Sequence, residues 1–154
     1  MPEGVKIVTK NRKAYHDFHI LETMEVGIAL VGTEVKSMRD GRVNLKDSYA
    51  RIDRGEVVLH GMHVSPYEAG NRYNHEPERP RKLLLHKREI MRLVGRVEER
   101  GLTLVPLSVY FRRGKVKVEL ALAKGKKEYD KREAIMRREA EREVSRVVKE
   151  NQQS

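Results

Sequence analysis

Two stretches of alternating apolar residues, each folded back at a glycine, constrain this chain more than any other feature. In the first, "SYARID" and "EVVLHGMHV" flank Asp53-Arg54-Gly55; in the second, "LTLVPLSVYF" and "GKVKVELALA" alternate around Arg112-Arg113-Gly114. Alternation at period two around a glycine turn predicts β-hairpins. Pro106 donates no ladder hydrogen bond, so it belongs at an edge or a bulge.

Between the hairpins runs "RKLLLHKREIMRLVGRVEERG". Leu83, Leu84, Ile90, Met91, Leu93, Val94 and Val97 recur at helical spacing, and Gly101 fits a C-terminal stop. Earlier, "FHILET" and "VGIALV" read as two strands with a turn or kink near Glu25. Thr33 is placed to cap a short helical turn that Gly41 ends. Met1 to Lys13 reads as a loose basic lead-in. Pro66 to Pro80 holds three of the five prolines and no apolar periodicity, which predicts a polar loop.

The expected fold is mainly β with helices: an OB-type small β-barrel with flanking α-helices. Its core is built from Leu, Val and Ile, because aromatics are only 5% and Trp is absent. A body of about 120 residues buries enough surface to fold alone. Residues 1–123 form that RNA-binding body in this reading, and residues 124–154 form a basic tail. The tail holds ten Lys or Arg against seven Asp or Glu. Met136, Ala140, Val144 and Val147 or Val148 make an apolar stripe too thin to anchor a helix firmly. The tail is therefore expected to be disordered or helical depending on its partner.

Net charge is +10. That excess favours a polyanion, and nucleic acid first. Basic clusters stand at Asn11-Arg12-Lys13, at Lys36, Arg39 and Arg42, at Arg79, Arg81 and Lys82, at Lys115 and Lys117, and at Lys124, Lys126 and Lys127. Taken singly, each reads equally well as solvated surface. Together they favour RNA over duplex DNA, since no helix-turn-helix or zinc-finger pattern is present. Glu34 lies in a basic turn, where it either orients a neighbouring Arg or Lys or accepts from an RNA group.

Other chemistries fare worse. The chain has no Cys, hence no disulfide, thiolate metal site or Cys nucleophile, which fits a cytoplasmic protein. No apolar run reaches a membrane span, and the N-terminus lacks a secretory core. Gly125-Lys126 is not a phosphate loop, because Leu120 and Lys127 occupy positions that need Gly and Ser or Thr. His16 and His19, like His60 and His63, fall in segments read as strand, where that spacing separates the rings. No metal, cofactor or catalytic residue is expected. A carboxylate-metal RNA-processing enzyme, using Glu25 or Glu34, remains an alternative of another class.

In their order and spacing, "NRKAYHDFHI", "EVGIALVGTEVKSMRDGR", "RKLLLHKREI", "LTLVPLSVYF" and "ALAKGKKEYDKR" resemble the bacterial tmRNA-binding family, small protein B. The resemblance runs from about Asn11 through Arg132. It implies an OB-type barrel that binds the tRNA-like domain of tmRNA, at its D-loop and elbow. It also implies trans-translation, the rescue of ribosomes stalled on broken messages, with tagging of the incomplete protein for degradation and no catalysis by the protein itself.

By the same resemblance, Asn11, Arg12 and Lys13 form an RNA-facing lead-in. Glu25, Leu84 and Lys117 match positions tied to tmRNA binding. Gly125, Lys126, Lys127, Asp130, Lys131 and Arg132 belong to the junction and tail. Tyr129 stands where relatives often carry His. Beyond Arg132 the match is in character only, and Arg137 and Arg138 are tail cations expected to face the ribosome. In the family the tail orders into a helix along the empty message channel, near the decoding centre. The protein is expected to be monomeric. A general RNA chaperone or ribosome-assembly factor on the same basic barrel is the nearest alternative.

Overall fold

Two glycines in left-handed backbone turn the hairpins. Arg54 and Gly55 have φ 51° and 78°, and Arg113 and Gly114 have φ 52° and 77°. Consecutive positive φ values match the right-handed twist of the strands they join. These turns connect β4 (Tyr49–Asp53) to β5 (Glu56–His60), and β8 (Thr103–Arg112) to β9 (Lys115–Gly125). The structure, a computed structural model, describes residues 4–68 and 74–153, without the side chains of 99–100, 127–133 and 150–153.

The chain divides into two compact units, residues 1–124 and 125–154. In the first, strands β2 (Phe18–Ile28), β7 (Arg81–Leu84), β5, β4, β8 and β9 pair in that order, and β9 returns to β2. The result is a closed ring of strands. β1 (Val5–Lys10) adds to β8 from outside the ring. Two short strands, β3 (Val43–Asn44) and β6 (His63–Val64), pair separately.

The main core includes Val26, Ile28, Val57, Leu59, Leu83, Leu104, Val109, Val118 and Leu120. It is aliphatic, as the composition requires. A second, smaller cluster joins Ala14 to Val105, Leu107, Ala121 and Ala123. Ala14 belongs to α1 (Arg12–Asp17), so this helix covers the opposite face of β8 and β9. The register of β8 against β9 shifts between Pro106 and Ser108, which places the proline at the expected irregularity. The shift lets Leu104 and Val109 serve one core while Val105 and Leu107 serve the other.

α2 (Gly32–Arg39) fills the segment read as a helical turn, but its N-cap is Val31 rather than Thr33. α3 (Lys87–Arg100) ends at Gly101 in left-handed backbone, as the pattern predicts. In the second unit, α4 runs over Lys126–Gln153. Met136, Val144, Val147 and Val148, residues of the predicted stripe, are exposed.

Three further expectations change. The lead-in is not loose: "VKIVTK" pairs with β8, and Asn11 caps α1. Phe18–Ile28 is one strand with no break at Glu25. Leu83 and Leu84 belong to β7 and not to the helix, because β7 is held between β5 and β2. Their helical spacing is overridden by pairing on both edges.

Candidate nucleic-acid interface

β2 and β8 each deliver a carboxylate or its partners to one patch of the ring. Glu25 Oε2 accepts from the Tyr110 hydroxyl and, at 2.9 Å, from Arg112 Nη1. Tyr110 and Arg112 share a face of β8, being two residues apart. Lys117 of β9 lies directly opposite Tyr110. The Tyr110 hydrogen bond holds the Glu25 carboxyl below its usual range, with help from Arg112 and Lys117. Burial and the Glu25 charge push the Tyr110 hydroxyl well up, so it remains a donor. The patch is thus a fixed carboxylate ringed by cations. Sequence reasoning found Glu25 and Lys117 but missed Tyr110 and Arg112. The signal available was their i, i+2 spacing on a strand with a charged end.

Beside it, Leu84 projects from β7 with half its surface exposed. Its Cβ and Cδ1 lie 3.3 Å from where a side chain on Gly27 would begin. The missing Cβ is what lets an exposed leucine lie against β2. Glu25, Lys82, Leu84 and the start of α3 line a groove of about 730 Å³. Lys82 pairs with Glu56 at 3.3 Å on its rim. The structure therefore gathers Glu25, Lys82, Leu84 and Lys117, four residues singled out from three segments.

A second basic area follows α2. Lys36 lies 5.5 Å from the Tyr67 ring centroid, and Arg39 lies 5.2 Å from that of Phe111. Arg42 Nη1 is 3.3 Å from Glu68. On α1, Arg12 is exposed, and Lys13 Nζ contacts Asp47 Oδ1 at 2.6 Å. Lys124 and Lys126 are half-buried around Gly125, the last residue of β9, and Arg137 and Arg138 are exposed on α4. The side chains of Lys127, Tyr129, Asp130, Lys131 and Arg132 lie outside the described residues.

Three predicted RNA-facing side chains turn inward instead. Glu34 and Arg81 are completely buried and bond to each other through Oε2 and Nε. Arg81 also donates from Nη1 to the Met62 carbonyl at 2.8 Å and from Nη2 to the Pro77 carbonyl at 3.0 Å. Arg79 adds a bond to Glu34 Oε1 at 2.5 Å, and the Val31 amide another at 2.9 Å. Burial opposes the charge on Glu34, yet the bonds from Arg79, Val31 and Arg81 bring its carboxyl below the usual range. Asn11 is also buried: Nδ2 donates to the Pro106 carbonyl at 2.9 Å, and Oδ1 accepts from Ala14 N at 3.2 Å. These three are structural, because their polar atoms are already engaged inside the protein. Arg79 is half-buried and leans the same way.

Among the described residues no group of His, Cys, Asp and Glu is arranged to hold a metal. Among them, too, no helix is long and apolar enough to cross a membrane.

Residues 8–150 match the family model of the SmpB protein. This chain belongs to the SmpB family. It is 63% identical to the SsrA-binding protein of Moorella thermoacetica, with 99% of each chain covered. It is 65% identical to the SsrA-binding protein of Carboxydothermus hydrogenoformans, covering 94% of this chain and 97% of the relative. A solved chain from a study of "tmRNA-SmpB: a journey to the center of the bacterial ribosome" aligns with TM-score 0.64 and 56% identity, over 77% of this chain and 83% of that one. The fold built above is thus one this SmpB-family member shares with a solved chain of that study.

Proposed function

We propose that this chain binds the tRNA-like domain of tmRNA and delivers it to stalled ribosomes for trans-translation. The observation that carries the reading is the Glu25–Tyr110–Arg112 cluster, with Lys117 opposite and Leu84 beside it. A fixed carboxylate accepts hydrogen bonds from base edges or ribose hydroxyls, the cations meet phosphates, and an exposed leucine packs on a base or sugar face. Membership of a family whose relatives are named SsrA-binding proteins points the same way.

We read the ring of strands as an OB-type barrel, with α3 ahead of the β8–β9 hairpin. Arg12, Lys13, Lys36, Arg39, Arg42 and Lys82 supply further surface charge for the RNA. Lys124, Lys126 and Lys127 add RNA-binding charge at the junction, and the tail, with Gly125, Tyr129, Asp130, Lys131, Arg132, Arg137 and Arg138, meets the ribosome at the decoding centre and message channel. The tail's helix is conditional on that contact, because its apolar stripe is thin and exposed. The protein works as a non-enzymatic monomer in the cytoplasm.

Competition binding tests this. Labelled tRNA-like domain, challenged with a large excess of bulk tRNA at near-physiological salt, stays bound if the reading is right. Equal competition by tRNA leaves only a general RNA chaperone on a basic ring.

A further inference from the structure

The outer face of β4, β5 and β7 carries a second feature that the groove does not use. Tyr49 lies opposite His60 in the β4–β5 register. Their rings stack, with centroids 5.4 Å apart and planes 18° from parallel. Tyr49 keeps 40% of its surface accessible although its neighbour Ala50 is buried in the core. Along the same face the next paired residues are Arg51 and Val58, and Val58 pairs on its other side with Lys82 of β7. Two residues of strand rise about 7 Å, roughly the spacing of neighbouring nucleotides. Arg51 is exposed and makes no ion pair among the described residues.

A cross-strand aromatic pair stabilises a sheet, and that alone accounts for the stack's existence. It does not require that an exposed tyrosine be followed along the strand by an unpaired arginine. Fixed aromatic rings beside a cation are what unpaired bases stack on: the ring takes the base and the cation takes its phosphate. Lys82 and Leu84, two residues apart on β7, continue the same face into the groove. We propose that Tyr49 and His60 form a stacking platform for one unpaired RNA base, with Arg51 on the adjoining phosphate. This rests on the RNA-binding reading above and adds a contact distinct from Glu25, Leu84 and Lys117. The base comes from tmRNA or from ribosomal RNA.

The test uses the full chain and its Tyr49→Phe, Tyr49→Leu, Tyr49→Ala and Arg51→Ala variants. Each is held below its own melting temperature. The probes are the tRNA-like domain of tmRNA and isolated small ribosomal subunits. Tyr49→Leu and Tyr49→Ala should each weaken binding to one probe by about tenfold, while Tyr49→Phe stays close to the parent. The probe affected identifies the RNA that supplies the base. Salt dependence should be unchanged in the three Tyr49 variants and shallower by about one counterion in Arg51→Ala. Parental binding to both probes by Tyr49→Leu overturns the platform. So does a loss that follows melting temperature and not aromatic character. If the parent itself binds neither probe, the RNA-binding reading fails, and that outcome is separate from a failure of the platform alone.

Discussion

Glu34 and Arg81 meet inside the protein, a carboxylate on α2 bonded to a guanidinium on β7, both without solvent exposure. The pair ties α2 to the ring and, through the Pro77 carbonyl, to the end of the long loop. Removing one partner strands a charge in the interior, which costs far more than the pair gains.

Glu34→Gln should therefore lower unfolding free energy by about 3 kcal/mol at pH 7, measured by urea denaturation. The folded Glu34 carboxyl titrates below its ordinary value of 4.5. Its contribution is thus fully present above that value and is lost as pH falls through the lower, folded one. The difference between variant and parent should shrink in that acid window and nowhere else.

Asn11→Ala removes a helix cap and the bond to the Pro106 carbonyl. A loss of about 1–2 kcal/mol in stability is expected. The salt dependence of RNA binding should not move, because no cation is lost. A changed slope would return Asn11 to the interface.

Lys117→Ala should weaken tmRNA binding by about 1–3 kcal/mol and flatten its salt dependence. Filter binding at several salt concentrations checks both. An unaltered affinity and slope removes Lys117 from the surface that meets RNA.

Gly27→Ala puts a methyl group 3.3 Å from the Leu84 side chain, which must then shift by a few tenths of an ångström. Leu84 is exposed and gives way without opening the core. Stability should change by less than about 1 kcal/mol, while affinity for the tRNA-like domain falls measurably. Unchanged affinity would mean that the position of Leu84 does not matter to the RNA.

Cutting the chain after Ala123 should spare affinity for the tRNA-like domain and abolish tagging on stalled ribosomes. Circular dichroism establishes that the shortened chain is folded. Loss of both functions in a folded body would refute this division of labour.

The two hairpins, the stop of α3 at Gly101 and the irregularity at Pro106 were legible because each rests on local backbone chemistry. Leu83 and Leu84 were not, since helical spacing over a few residues says nothing about two flanking strands. The site divides in the same way. Lys117 stands out by charge and Glu25 by the family resemblance, whereas Tyr110 is visible only once β2 is laid near β8. Arg81 and Glu34 misled for the opposite reason: in sequence a buried charge looks the same as an exposed one, and only its partner, distant along the chain, reveals it.

Strand β1 lies against β8, with Val5 opposite Arg112. During synthesis the first strand must wait until nearly the whole body has been made before it has anything to pair with, and contacts so distant in sequence form slowly. The ring, too, stays open until β9 has been made. A chain cut short ahead of β9 lacks the strand that joins β8 to β2. A message broken ahead of β9 thus cannot yield the closed ring on which the site is built.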